Sequence, residues 1–484
     1  MDPLNQLDQR FLNELSDRFG LPLHIIFAGR FRQNCDSFKA VLKLYYPHHQ
    51  IGFAVKSNPC RGAVRLAARA GLGADVVSEF ELRTAIEEGI APERIICNGN
   101  GKSRAYIEMA LACGATIAVD GSWELKLIGE IAGKAAQKAK ILLRFSGMSL
   151  GALTAADQMT ASEWTKFGFP IDGCVAVIEE CLAQSNVELL GFSAHIGTQI
   201  CDPSGYDRML ANLLRIAATA AEKGVETRML DLGGGFPVSY INRIEWDEFK
   251  RRLRLQLLGE LQESQYITWD NIPLGCADDL AKYRWGSDPG LQQEWNWRGK
   301  AYWSEFPGAA MLERTLSYRV GDVNHPLDRL HELGDPLLVI EPGRALIGTA
   351  GLTLARVAGV KLVRGNAVVV LELGIVNHGT NLVTPDIYPF TVLPGREDDQ
   401  PAEAFVAGHL CFTGDMISKI KVKLNRMPKR GDIMAIHHTG AYCADHFASN
   451  SCGFPRPAKV AVGENGQIEV WRARESFEDL FPQI

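Results

Sequence analysis

Short apolar runs and helical patterns alternate through the first half of the chain. "QIGFAVKSN" (50–58) has the texture of a buried strand, and "RGAVRLAARAG" (61–71) has the spacing of a helix. The pairing recurs as "GADVVS" with "EFELRTAIEEG", "RIICNGN" with "SRAYIEMALACG", and "TIAVDG" with "WELKLIGEIAGKAAQKA". "ILLRFS", "LLGFSAHIG" and "MLDLGGG" follow. Strand and helix at this rhythm predict parallel strands joined by crossover helices. The count approaches eight, which favours an α/β chain with a (β/α)8 TIM-like barrel over an open sheet.

After about residue 345 the texture changes. "GLTLARVAGVKLVRG", "AVVVLELGIV", "DIMAIHHTGAY" and "QIEVWRAR" are β-branched runs broken by Gly and Asn turns, with no long helix between most of them. This predicts a C-terminal antiparallel β domain over 346–484. "LPLHIIFAG" near the N-terminus has the same texture, so segment 1–45 is expected to contribute to that domain. The barrel is expected over 46–345. Within it, the 105 residues between Gly235 and Glu341 lose the strand-helix rhythm and are rich in Trp, Arg and Asp. They read as an ordered insertion at about 240–325, a lid or an oligomer contact.

Composition narrows the function. The 484 residues are 46% hydrophobic and 22% charged, a globular composition that suggests two domains. A net charge of -6 disfavours a nucleic-acid surface. No apolar run is long enough to span a bilayer, and the first twenty residues form a charged amphipathic pattern rather than a signal peptide. The eleven cysteines are scattered without a CxxC pair, which points to reduced cytoplasmic thiols and against zinc or another metal.

Candidate chemistry sits where strands end. Lys56, Asp75, Arg144, His195 and Gly233 to Gly235 all fall at or just after predicted strand ends, the face on which barrels place their active sites. A buried ammonium such as Lys56 is costly unless paired or neutral, and the alternative is a lysine reaching for water. The glycines of "LDLGGGFP" let backbone N–H groups approach an anion, or simply form a turn. "VIEPGRAL" ends a strand on Glu341, which faces either Arg344 or a protonated heterocycle. Taken alone, His195 fits a core histidine, Cys411 in "HLCFTGDMI" an inert thiol, and Tyr442 in "TGAYCADHF" an ordinary turn. "NGNGKS" (98–103) looks like the end of a phosphate-binding P-loop but fails, because the required glycine position is Ile96.

Together these residues match one chemistry: a lysine for a Schiff base, a carboxylate for a ring nitrogen, a phosphate cradle, a stacking face and a proton donor. With "FAVKSNP", "HIGTQI", "LDLGGGFP", "EPGR", "CxxGD" and "GAY…FPRP" in this order, the sequence resembles the fold-type III pyridoxal-phosphate decarboxylases, the group of ornithine, diaminopimelate and arginine decarboxylases. The resemblance implies pyridoxal 5'-phosphate as cofactor and decarboxylation of an amino acid through an aldimine on Lys56 and a quinonoid intermediate. It implies that His195 stacks on the ring and that Glu341 pairs with its nitrogen. Gly234, Gly235, Gly343 and Arg344 would bind phosphate, with Thr198 near it and Tyr442 adding a hydroxyl. Asp75 and Arg144 would line the site. Cys411, as proton donor, and Asp415 would enter from the partner subunit of a homodimer.

Two departures from the family bear on substrate. Diaminopimelate decarboxylases carry Glu directly after the cysteine, and ornithine decarboxylases carry Asp; this chain has Phe412. The "RPxLY" segment of the diaminopimelate enzymes reads "TPDIYP" here, with Thr384 in place of the arginine while Tyr388 stays. Both losses argue against diaminopimelate, leaving Tyr388, Phe412 and Asp415 as the expected substrate contacts. A racemase on the same barrel and a non-catalytic homologue are the alternatives. Glu341 disfavours the first, since alanine racemases place an arginine at the ring nitrogen. The retained lysine and phosphate residues disfavour the second.

Overall fold

The structure, a computed structural model, describes residues 9–148, 160–161, 163–274, 301–317, 326–379, 387–395, 397–446 and 449–482. These fall into two compact units. One comprises Arg32–Pro237 and Ser304–Leu346; the other comprises the described residues of Met1–Phe31, Val238–Trp303 and Ile347–Ile484.

In the first unit eight parallel strands close on themselves. In chain order they are His49–Ala54, Gly73–Val76, Ile95–Cys97, Thr116–Val119, Ala139–Ser146, Val187–Ala194, Met229–Asp231 and Leu337–Ile340. Each pairs with its sequence neighbour, and the last returns to the first with Leu338 opposite His49. The two-residue strand Phe169–Pro170 hangs on the edge of the fifth. Ile96, Ala118, Leu142, Met229 and Val339, from five different strands, meet in one buried cluster, as they can only inside a barrel. The helices between strands start where short polar side chains take the first free amides. Ser78 accepts from Glu81 N–H and Ser103 from Tyr106 N–H, at 3.2 and 3.1 Å.

The second unit is a nine-stranded sheet. Most pairings are antiparallel, with parallel ones between Leu23–Phe27 and Ala458–Val462 and between Asn366–Leu371 and Ala402–Ala407. The N-terminal strand Leu23–Phe27 lies inside the sheet, flanked by Gly351–Val363 and Ala458–Val462. Its alternation explains its place. Leu23, Ile25 and Phe27 enter the core with Leu352, Leu354 and Val460, while His24, on the opposite face, bonds Thr353 at 2.9 Å. The amphipathic start of the chain forms the helix Gln9–Phe19, whose Phe11, Leu15 and Phe19 recur every fourth residue and join that core.

Two boundaries fall elsewhere than the sequence suggests. From Arg32 onward the helix Ala28–Tyr45 belongs with the barrel, and Val238–Trp303 belongs with the sheet. The second shift has a visible cause. The helix Arg243–Leu257, started by an Asn242–Glu245 capping box, binds Glu403 of the sheet through both Arg252 guanidinium nitrogens, at 2.7 and 3.0 Å. Two pieces of the stretch read as an insertion, 275–300 and 318–325, lie outside the described residues. Among the described residues, no helix is long and apolar enough to cross a membrane.

Candidate active site

The C-terminal ends of the barrel strands surround a cavity of about 530 Å³, a size typical of small-ligand sites. Lys56, Asn98, Lys102, Arg144, His195 and Glu341 line it. The expected residues from four different strand ends thus share one wall.

Lys56 leaves the first strand through a single 3-10 turn, Val55–Ser57. Its ammonium pairs with the carboxylate of Asp75, which is buried. The buried Asn98 amide donates from Nδ2 both to Asp75 Oδ1, at 2.9 Å, and to Glu341 Oε1, at 2.7 Å. Glu341 in turn hydrogen-bonds Asp231, and Asp231 Oδ1 accepts Gly233 N–H at 2.8 Å. A continuous chain of polar contacts therefore runs from the lysine to the glycine loop.

Its electrostatics follow from burial and crowding. Burial pushes the Glu341 carboxyl well above the usual carboxylate range, and Asp231 and Asp75 push it further. Burial carries Asp231 up to about 7. Three acidic groups, Asp75, Asp231 and Glu341, thus crowd beside one ammonium.

His195 is held below its ordinary value by burial and by the charges of Lys56 and Arg144, so its imidazole is neutral. Its Nδ1 accepts Gly234 N–H at 2.9 Å, which puts the ring proton on Nε2 and fixes the plane of the ring. Two N–H groups of the triple glycine are thus engaged within the protein, by Asp231 and by His195. The glycines are also required sterically: a Cβ at Gly234 would stand 2.4 Å from the Glu341 carbonyl oxygen, and one at Gly235 2.6 Å from that of Gly197. Arg344 reaches Thr198 Oγ1 at 3.5 Å, and a Cβ at Gly343 would meet Ser57 Cβ at 2.8 Å. The phosphate candidates Thr198, Gly343 and Arg344 therefore converge beside the lysine turn. Arg144 bonds Asp120 at 3.3 Å and stands 4.6 Å from the centre of the Phe167 ring.

The remaining candidates lie in the sheet unit. Tyr442 has a left-handed φ of +58°, a conformation that a tyrosine holds only when its surroundings enforce it. Three residues on, Asp445 pairs with Lys459 and Arg472, which fixes that turn. Cys411 and Phe412 are exposed. Asp415 accepts the backbone N–H groups of Ile375 and Leu410 on its two carboxylate oxygens, at 2.7 and 2.5 Å, so it holds the turn that presents Cys411 and Phe412. Tyr388 is buried against Tyr240 and His378. Thr384 lies outside the described residues.

Sequence reasoning missed Asn98 and Asp231. Both stood in stretches already singled out, and Asn98 directly follows a barrel strand, the same signal that marked Lys56.

A closed parallel barrel thus gathers a lysine, a neutral histidine and a buried carboxylate around one cavity. The family of pyridoxal-dependent decarboxylases, through its pyridoxal binding domain, matches residues 28–264. The diaminopimelate decarboxylase of Halalkalibacterium halodurans is 30% identical over 477 residues, covering 96% of this chain and 92% of its own. Two solved structures share the fold. One is the diaminopimelate decarboxylase of M. jannaschii in co-complex with L-lysine, with TM-score 0.75, 22% identity and coverage of 97% of this chain and 93% of its own. The other is SrLDC in complex with PLP and cadaverine, with TM-score 0.67, 19% identity and 95% coverage of each chain. The chain belongs to the fold-type III pyridoxal-phosphate-dependent decarboxylases, and it is a carboxy-lyase that acts on an amino acid.

Proposed function

We propose that this enzyme decarboxylates an amino acid other than diaminopimelate, with Lys56 holding the cofactor, His195 against its ring and Glu341 at its nitrogen. The observation that carries the reading is the meeting of these three side chains around one cavity. Bound pyridoxal phosphate supplies the electron sink for the pair left on Cα when CO2 departs. This chain's residues do the rest. The carboxylate of Glu341 keeps a proton on a facing nitrogen, and the neutral imidazole of His195 offers a flat face without adding charge. Arg344, Gly343, Thr198 and Gly235 hold phosphate, with the Tyr442 hydroxyl, while Gly234, its N–H taken by His195, allows the close backbone approach beside them. Asp75 and Arg144 keep the cavity lined with charge.

Cys411 returns a proton to Cα. Its exposure on the sheet unit supports a homodimer in which one subunit presents Cys411 to the site of the other. Phe412, 43% exposed, stands where the diaminopimelate enzymes have a carboxylate, so the substrate's far end is less polar than that of diaminopimelate. Free thiols at all ten described cysteines support a reducing, cytoplasmic setting.

The test is a screen of amino acids, including D-forms and N-modified ones, for CO2 release by the purified protein. Borohydride reduction followed by peptide mapping should place the cofactor on Lys56. If diaminopimelate is turned over as fast as any other amino acid, the substrate reading fails.

A further inference from the structure

We propose that Asn98 is a positioning residue of this reaction: one side-chain amide bridges the carboxylate paired with Lys56 and the carboxylate of Glu341, so the charge at either end of the site is felt at the other. The inference rests on the assignment of Lys56 and Glu341 above.

The geometry leaves the amide one orientation. Both neighbours of Nδ2 are carboxylate oxygens, Asp75 Oδ1 at 2.9 Å and Glu341 Oε1 at 2.7 Å. An amide nitrogen has two hydrogens, one for each, whereas the amide oxygen turned that way would face two acceptors. Because Asn98 can donate there but not accept, Asp75 Oδ1 and Glu341 Oε1 are held as acceptors. Any proton on Glu341 then sits on Oε2. The charged groups that face Glu341 are Asp231, Asp75 and Lys56, and Arg144 acts on Asp231. Asn98 is the neutral donor among them, and it spends part of the negative charge of Asp75 that would otherwise act on Lys56.

The loop is built to hold this aim. Asn98 N–H bonds the Val76 carbonyl at 2.8 Å. Four residues on, the Lys102 ammonium is 1% exposed and donates to the carbonyls of Gly99 and Ala118, at 2.7 and 2.6 Å, and to Glu124 at 3.0 Å. Glu124 also accepts Asp120 N–H at 2.8 Å. A fully buried ion pair thus clamps the turn directly after Asn98.

The test titrates the visible absorbance of the cofactor in substrate-free holoenzyme for wild type, N98A and N98D. An anion beside the lysine nitrogen favours its protonated form. Removing the donor to Asp75 therefore moves the midpoint upward in N98A, by a fraction of the roughly one to two pH units that a hydrogen bond to a charged group is worth at Asp75 itself. N98D adds a carboxylate of the same shape and moves it upward further. In both, kcat falls more than KM changes. Far-UV circular dichroism checks folding; if N98A does not fold, N98S, whose one hydroxyl hydrogen serves a single carboxylate, takes its place with a smaller upward shift. Unchanged or lowered midpoints in folded variants overturn the proposal. A wild-type holoenzyme with no lysine-linked band overturns the assignment of Lys56, and this inference with it.

Discussion

Replacing Lys102 with Met removes one half of the buried pair on the cavity wall. Lys102 and Glu124 are 1% and 0% exposed, and burial pushes the ammonium below its ordinary value even with Glu124 beside it. The methionine fills similar volume but leaves Glu124 charged and buried, and it withdraws donors from the Gly99 and Ala118 carbonyls. Breaking a buried pair from one side costs about 3–5 kcal/mol, whereas replacing both partners with apolar groups of similar volume is often close to neutral. At about 2–4 °C per kcal/mol for a domain of this size, K102M should melt about 6–20 °C below wild type, and K102M/E124L should recover much of that loss. Thermal and denaturant unfolding of the two singles and the double, followed by circular dichroism, close the cycle. A K102M loss under about 1 kcal/mol, or a double variant as unstable as the sum of the singles, would refute the account of this pair as a mutually dependent clamp.

Three further outcomes are expected. Glu341→Gln should retain cofactor yet lose about 10²-fold or more in turnover, since a neutral amide cannot keep a facing nitrogen protonated; an unchanged rate counts against the ring-nitrogen role. Cys411→Ala should lower turnover by ~10²–10⁴-fold or divert product, read by CO2 release and product chromatography; clean product at the wild-type rate removes Cys411 from the site. His378 is fully buried, neither ring nitrogen finds a hydrogen-bond partner among the described residues, and burial lowers it to about 4. The unfolded chain binds its proton below about 6.5 and the folded chain does not, so stability holds above that pH and falls by about 1.4 kcal/mol per unit between 6.5 and 4. In His378→Phe this contribution to acid loss should vanish, and melting curves of variant and wild type that stay parallel from neutral pH to pH ~4 would contradict the burial argument.

The barrel was legible because each of its strands is a short apolar run, and in several that run stops on a charged or hydrogen-bonding residue. Lys56, His195 and Glu341 announce themselves that way. Asn98 also follows a strand end, but an asparagine between a strand and a glycine reads equally well as a turn, and only the fold reveals two carboxylates within its reach. The structural part Asp415 plays was hidden too: its oxygens accept backbone amides, one of them 40 residues away in sequence, and no local pattern shows that. The allegiance of Val238–Trp303 likewise depends on Arg252 finding Glu403, a pairing across 151 residues.

The strand Leu23–Phe27 leaves the ribosome long before its partner Ala458–Val462, which emerges some 435 residues later. At ~5–20 residues per second that is a wait of roughly 20 to 90 s. Throughout it, "LHIIF" is a sticky ribbon without its mate, open to capture by any other nascent β segment. Chaperone demand during synthesis, and poor solubility of products that stop before Ala458, are the expected consequences of knitting two segments so far apart in sequence into one sheet.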